Sequence, residues 1–133
     1  MGTFRQTIEI GDPEVLRYEA VEALVDTGAS YTILPASLLR RLGVTPFTRR
    51  RFRLGDNRVA TRELGETRIK MHDEIITRIV VFGEEGVVLL GADTLEGFGL
   101  VVDPIGQRLV PVEGLMMRVL ADEGEHIAKR RLP

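Results

Sequence analysis

Apolar positions along this chain come in short bursts, alternating or continuous, broken by Gly, Pro and Asp. That is the pattern of short strands, not of long helices. Residues 4–10 place Phe4, Ile8 and Ile10 on one period-two face. Gly11-Asp12-Pro13 signals a turn, and residues 18–25 form a second strand ending in Ala23-Leu24-Val25, so the two are expected to pair as a hairpin. Leu38, Leu39 and Leu42 fall at helical spacing, with Pro35 at the first helical position and Gly43 where a C-terminal cap belongs. Residues 48–70 are polar and arginine-rich and read as a long exposed hairpin around Gly55-Asp56-Asn57. Residues 75–82 and 87–90 are apolar strands, and 91–98 a short helical turn. Residues 100–103 and 108–112 flank the hairpin signal Asp103-Pro104-Ile105-Gly106. The last stretch, 113–133, differs: Leu115, Met116, Val119 and Leu120 share a helical face, and the chain is charged from Asp122 onward. The reading is a mostly β domain over 1–112 with one or two short helices, then a partly helical or frayed tail over 113–133.

Composition narrows the function. At 133 residues, 44% of them hydrophobic, the chain can bury the core of one ordinary domain. Eighteen Lys and Arg against twenty Asp and Glu leave a net charge of −2, which argues against a bulk nucleic-acid binder. The absence of Cys removes disulfides, thiolate nucleophiles and Cys-ligated zinc. No run approaches the ~18 apolar residues of a membrane span, and the first residues carry no apolar stretch of signal-peptide length. The expectation is a soluble, cytoplasmic protein that uses no membrane. His72 and His126 stand alone, and the acidic residues lack metal-loop spacing, so no metal and no cofactor are expected.

The chemistry concentrates in Ala23-Leu24-Val25-Asp26-Thr27-Gly28-Ala29-Ser30, where an apolar strand ends in a carboxylate, a hydroxyl residue and Gly. Further on comes Val88-Leu89-Leu90-Gly91-Ala92-Asp93-Thr94-Leu95. This pairing resembles the retroviral-type (retropepsin-like) aspartic proteases, including their cellular relatives related to DNA-damage-inducible proteins. Those proteins carry two hydrophobic residues, Asp, Thr or Ser, Gly, then Ala or Ser; a polar flap hairpin follows, then a hydrophobic-hydrophobic-Gly turn opening a short helix. The resemblance covers residues 4–112.

It implies a closed β-barrel protomer and an aspartic endopeptidase. Hydrolysis without a metal or a nucleophilic side chain needs an activated water, and two carboxylates sharing one proton can supply it. Held close, they cannot both ionise and titrate as a unit. The chain has one Asp-Thr-Gly, so the implied site is a homodimer pairing Asp26 with its symmetry mate. The resemblance makes Asp26, Thr27 and Gly28 the catalytic motif, with Thr27 bonding across the interface and Gly28 permitting close backbone approach. Ala29 stands where pepsin-like relatives often carry Ser, whose hydroxyl would lower the carboxylate pKa, so an optimum less acid than pepsin's is expected. Ser30 stands where many viral members have Asp. The implied flap runs from Arg53 to Glu66 with its tip over residues 56–60; it brings Gly55, Asp56, Asn57, Arg58 and Val59 to a peptide substrate, beside Ala29 and Ser30 and apolar subsites that include Ile33. The hairpin over 100–112 is expected to join the dimer interface.

Other readings stay open at this point. Asp26-Thr27-Gly28 suits a plain strand-to-turn corner. A protease-like homodimer can bind peptides as a scaffold without cutting them. Arg49-Arg50-Arg51-Phe52-Arg53 suits a nucleic-acid patch or, more simply, a solvated edge strand protected by charge. Asp93 is expected to cap or pair locally.

Overall fold

The computed structural model describes residues 4–14 and 16–113; the helical or frayed character read for the tail, apart from Glu113, lies outside the described residues. Among the described residues nine strands and two short helices run in the order β1 (Arg5–Gly11), β2 (Tyr18–Val25), β3 (Thr32–Pro35), α1 (Ala36–Arg41), β4 (Thr48–Arg53), β5 (Val59–Met71), β6 (Glu74–Gly83), β7 (Leu89–Leu90), α2 (Ala92–Gly97), β8 (Leu100–Asp103) and β9 (Arg108–Pro111). The fold is mostly β, as the alternation predicts.

Seven strands form one sheet in the order β1-β2-β7-β3-β6-β5-β4, and β1 also pairs with β5. The hydrogen-bonded path from β1 through β2, β7, β3, β6 and β5 therefore returns to β1. The expected hairpin of β1 and β2 is present, from Arg5↔Leu24 to Gly11↔Tyr18. Residues β7 Leu89 and Leu90 thread the middle, parallel to β2 (Leu24↔Leu89, Val25↔Leu90) and antiparallel to β3 (Ile33↔Leu89). β3 runs parallel to β6. β8 and β9 form the separate hairpin expected near the C-terminus.

The interior is filled from every strand of the closed path. Ile8, Ile10, Ala23, Val25, Leu34, Ile69, Met71, Val80, Phe82 and Leu90 are buried, and Leu38, Leu39, Leu42 and Leu95 seal the ends. Helix α1 carries Arg40 and Arg41 in its last turn, and Gly43 follows at φ +85°, the left-handed cap the sequence predicts. Pro35 differs from expectation: it ends β3 at φ −58°, ψ 134° and stands one position before the helix. Strand β3 itself was not foreseen, and only Leu89 and Leu90 of the apolar run 87–90 join the ladder.

β5 is the long element that organises the cleft. On one edge it pairs with β6 over Leu64–Met71; on the other it carries β4 over Val59–Leu64 and β1 over Arg68–Lys70. Val59–Glu63 have no partner on the β6 side, so the β4–β5 hairpin projects beyond the closed ladder.

Candidate active site

Asp26 follows directly on the end of β2. Its backbone N–H donates to the Leu90 carbonyl at 3.0 Å, and the Ala29 N–H donates back to the Asp26 carbonyl at 3.1 Å, closing a tight turn. The Gly28 N–H donates to Asp26 Oδ1 at 2.9 Å, which fixes the carboxylate over its own loop. A Cβ on Gly28 would stand 3.2 Å from that same oxygen. Gly28 does not adopt a left-handed backbone, so its role within the chain is to leave space beside the carboxylate.

Beneath the loop is a brace of buried polar contacts. The hydroxyls of Thr32 and Thr94, both fully buried, lie 2.6 Å apart, and Thr32 Oγ1 accepts the Gly91 N–H at 3.1 Å. Helix α2 has no side-chain N-cap. Its free N–H groups are taken instead by the Asp26 loop: Ala92 donates to Ala29 O at 2.8 Å and Asp93 to Ser30 O at 2.9 Å. Gly91 is required by close approach, since a Cβ there would meet Tyr31 O at 2.4 Å and Ala29 O at 2.9 Å. Asp93, expected to cap or pair locally, pairs with Arg78 of β6 at 2.8 Å, a residue fifteen positions away.

A cleft of about 630 Å³ opens above Asp26 and runs under the β4–β5 hairpin. Its floor is Asp26, Gly28, Ala29, Ser30, Tyr31 and Ile33. Its roof is Phe52, Arg53, Leu54, Gly55, Asp56, Arg58 and Arg62, with Val81, Glu84, Val87 and Leu89 at the side. The sequence-derived residues Asp26, Gly28, Ala29, Ser30, Gly55, Asp56 and Arg58 therefore converge on one space. Thr27, Asn57 and Val59 do not line it in the single chain: Thr27 is exposed on the loop, Asn57 bends the tip at φ +74°, and Val59 is 43% exposed.

The hairpin differs in detail from its expected outline. Its arms are residues 48–53 and 59–64, and the loop is Leu54 to Arg58, closed by Asn57 N–H to Leu54 O at 2.8 Å and Leu54 N–H to Arg58 O at 2.7 Å. Gly55 lies in the tip itself, whereas Val59 and Ala60 are in the strand. Gly65, within the implied 53–66 flap, is buried where a Cβ would stand 3.0 Å from Val44 and 3.1 Å from Phe82. Arg58 holds Asp56 through its backbone N–H at 3.1 Å and its guanidinium at 2.6 Å; these two bonds, the backbone one foremost, lower the Asp56 pKa. Phe52 and Tyr31 make an edge-to-face contact, 6.3 Å between centroids, tying the hairpin to the Asp26 loop. Sequence reasoning missed Tyr31, Phe52, Val81, Glu84, Val87 and Leu89 as lining residues; alternation on the hairpin (50, 52 facing 60, 62) is the signal that could have found Phe52.

Among the described residues no cluster of His, Asp or Glu is arranged to hold a metal ion, and no helix is long and apolar enough to cross a membrane.

The fold resembles the solution structure of simian foamy virus protease, with a TM-score of 0.52 at 15% identity over 71% of this chain and 94% of that one. No curated protein matches the sequence. The family described as "gag-polyprotein putative aspartyl protease" matches residues 16–97, a span that includes the Asp26 loop, the projecting hairpin and helix α2. With that span covering more than half of the chain, the chain belongs to the retroviral-type aspartyl protease family.

Proposed function

We propose that this protein is an aspartic endopeptidase that acts as a homodimer, with Asp26 of each copy at the shared active site. One observation carries the reading: in a chain of an aspartyl protease family, Asp26 stands on a braced loop at the floor of a roofed cleft large enough for a peptide segment. Thr27, exposed on the loop, bonds across to the second copy, and Gly28 keeps the approach to the carboxylate open.

In the proposed cycle one Asp26 is ionised and its mate protonated. The ionised carboxylate takes a proton from water as the water oxygen adds to the scissile carbonyl carbon. The protonated carboxylate gives its proton to the carbonyl oxygen, forming a gem-diol. The C–N bond then breaks as the first carboxyl protonates the leaving nitrogen and the second takes a proton from one hydroxyl. Both carboxyls return to their starting state. Ala29 and Ser30 border the substrate, Ile33, Phe52, Val81 and Leu89 form apolar walls, and the tip with Gly55, Asp56, Asn57 and Arg58, followed by Val59 at the start of β5, folds down to exclude water.

The test is cleavage of a peptide mixture by the pure protein across a pH series, with and without a statine-type inhibitor, beside Asp26→Asn. Inhibitable cleavage that falls by about a thousandfold or more in the variant supports the reading. No cleavage at a concentration where the protein is dimeric overturns it in favour of a peptide-binding scaffold. A pH–rate maximum below about pH 3.5 would contradict the expectation attached to Ala29.

A further inference from the structure

The hairpin that roofs the cleft is strongly basic. Between Thr48 and Leu64 stand six arginines against Asp56 and Glu63, in a chain whose total charge is −2. Arg50 and Arg62 are directly opposite in the register, a like-charge pairing that weakens a sheet. Some of these charges have partners. Arg62 pairs with Glu84 at 3.1 Å and Arg58 with Asp56 at 2.6 Å. Glu63 faces Arg49 in the register but is taken by Arg40 at 2.7 Å. Among the described residues Arg49, Arg50, Arg51 and Arg53 form no ion pair.

Of those four, Arg53 lines the cleft. Its guanidinium meets only neutral oxygens of Asn57, the carbonyl at 3.2 Å and Oδ1 at 3.4 Å. The other charged lining residues neutralise in pairs, Asp56 with Arg58 and Glu84 with Arg62. Of the charged residues lining the cleft, Asp26 at the floor and Arg53 on the hairpin are left without an ion pair among the described residues, and the Arg53 guanidinium stands over Asn57 at the hairpin tip, at the rim of the cleft. Its neighbours in the chain, Phe52 and Leu54, add apolar lining to the same cleft.

We propose that Arg53 is a specificity-determining residue that selects polypeptide substrates carrying an acidic side chain, whose carboxylate it binds at the roof end of the cleft. A guanidinium matches a carboxylate in shape and charge, and the unpaired arginines on β4 add a field that draws acidic chains toward the cleft. A nucleic acid fits these observations less well: the cleft is concave and largely apolar, and Asp26 at its floor repels phosphate. The proposal rests on the peptide-cleaving reading only for the kind of occupant.

The test uses the 133-residue chain and peptides blocked at both ends, so that a side chain is the only carboxylate, with Glu and Gln exchanged position by position. Two readouts are taken: cleavage by the wild type, and binding to the Asp26→Asn protein by fluorescence anisotropy. At one position Glu is expected to exceed Gln about tenfold in kcat/KM and in affinity. The ratio collapses to about one in Arg53→Gln, is partly kept in Arg53→Lys, and stays within about twofold of the wild type in Arg51→Gln, which loses only its share of the β4 field. No Glu preference at any position, a preference that survives Arg53→Gln, or one lost equally in Arg51→Gln would overturn the proposal. So would an RNA oligonucleotide that displaces the acidic peptide from the Asp26→Asn protein at lower concentration than the peptide's own competitor. If nothing is cleaved but the Glu preference in binding still depends on Arg53, the endopeptidase reading fails and this proposal stands.

Discussion

The loop that carries Asp26 and the hairpin above it are built from opposite materials. The loop rests on Thr32, Thr94 and Gly91, with hydroxyl and amide groups paired out of water. The hairpin is held at its tip by the Arg58–Asp56 pair, whose side chains are 72% and 55% exposed. A buried polar group that loses its partner costs far more than an exposed ion pair contributes. The floor of the cleft is therefore set by contacts that admit no substitute, and the roof by contacts that can open and re-form. The proposed endopeptidase, which has to admit a polypeptide and then enclose it, would need this division.

The sharpest way to break the contrast is Gly91→Ala. The added methyl meets the Tyr31 carbonyl at 2.4 Å, so the loop or α2 must move, at about 3 kcal/mol. Thermal unfolding should show a drop of roughly 10 °C or more for a domain of this size; unchanged melting would show that the close approach constrains nothing. Thr32→Val comes next. It orphans the Thr94 hydroxyl and the Gly91 N–H and should cost about 2 kcal/mol in chemical denaturation. Adding Thr94→Val should recover part of that loss, because one of the two stranded groups is then gone.

On the roof the effects shrink. Phe52→Leu removes the edge-to-face contact with Tyr31 and should cost about 1 kcal/mol. It is expected to appear as faster amide exchange in residues 50–62, with little change in residues 32–34. The smallest effect is a pH response at the tip. The Arg58 backbone N–H foremost, and then its guanidinium, hold the Asp56 pKa below the ordinary Asp value of 3.8 in the folded chain. The Asp56 contribution is thus fully present above pH 3.8 and is lost as pH falls through the lower folded value. Protection of the Arg58 N–H, taken relative to the intrinsic exchange rate at each pH, should fall over that acid range and stay constant in Asp56→Asn.

How much was legible beforehand follows the range of the interactions. Hairpins read well because their evidence is local: the alternation of Phe4, Ile8 and Ile10, the Gly11-Asp12-Pro13 turn, and the polar arms around Gly55-Asp56-Asn57. Strand β3 did not, since Thr32–Pro35 is too short to alternate and runs straight into a helix. The hairpin bounds slipped for a related reason. Nothing local marks Gly65 as a packed position, yet Val44 and Phe82 pack against it and leave no room for a Cβ. The Asp93 partner was missed because Arg78 comes from β6.

Sequence by itself determined the class and the centre of the site: a mostly β chain, an apolar strand running into Asp26-Thr27-Gly28, a basic hairpin, and a Gly91 turn into a helix. These depend on residue type and near-neighbour spacing, which a linear pattern carries whole. Tertiary structure decided what stands around that centre. It threaded Leu89 and Leu90 between β2 and β3, used Ala29 and Ser30 carbonyls to cap a helix that has no capping side chain, and turned Phe52 and Arg53 over Asp26. Those relations join segments brought together only by closing the ladder, and alternation tells which residues share a face without telling what that face will meet.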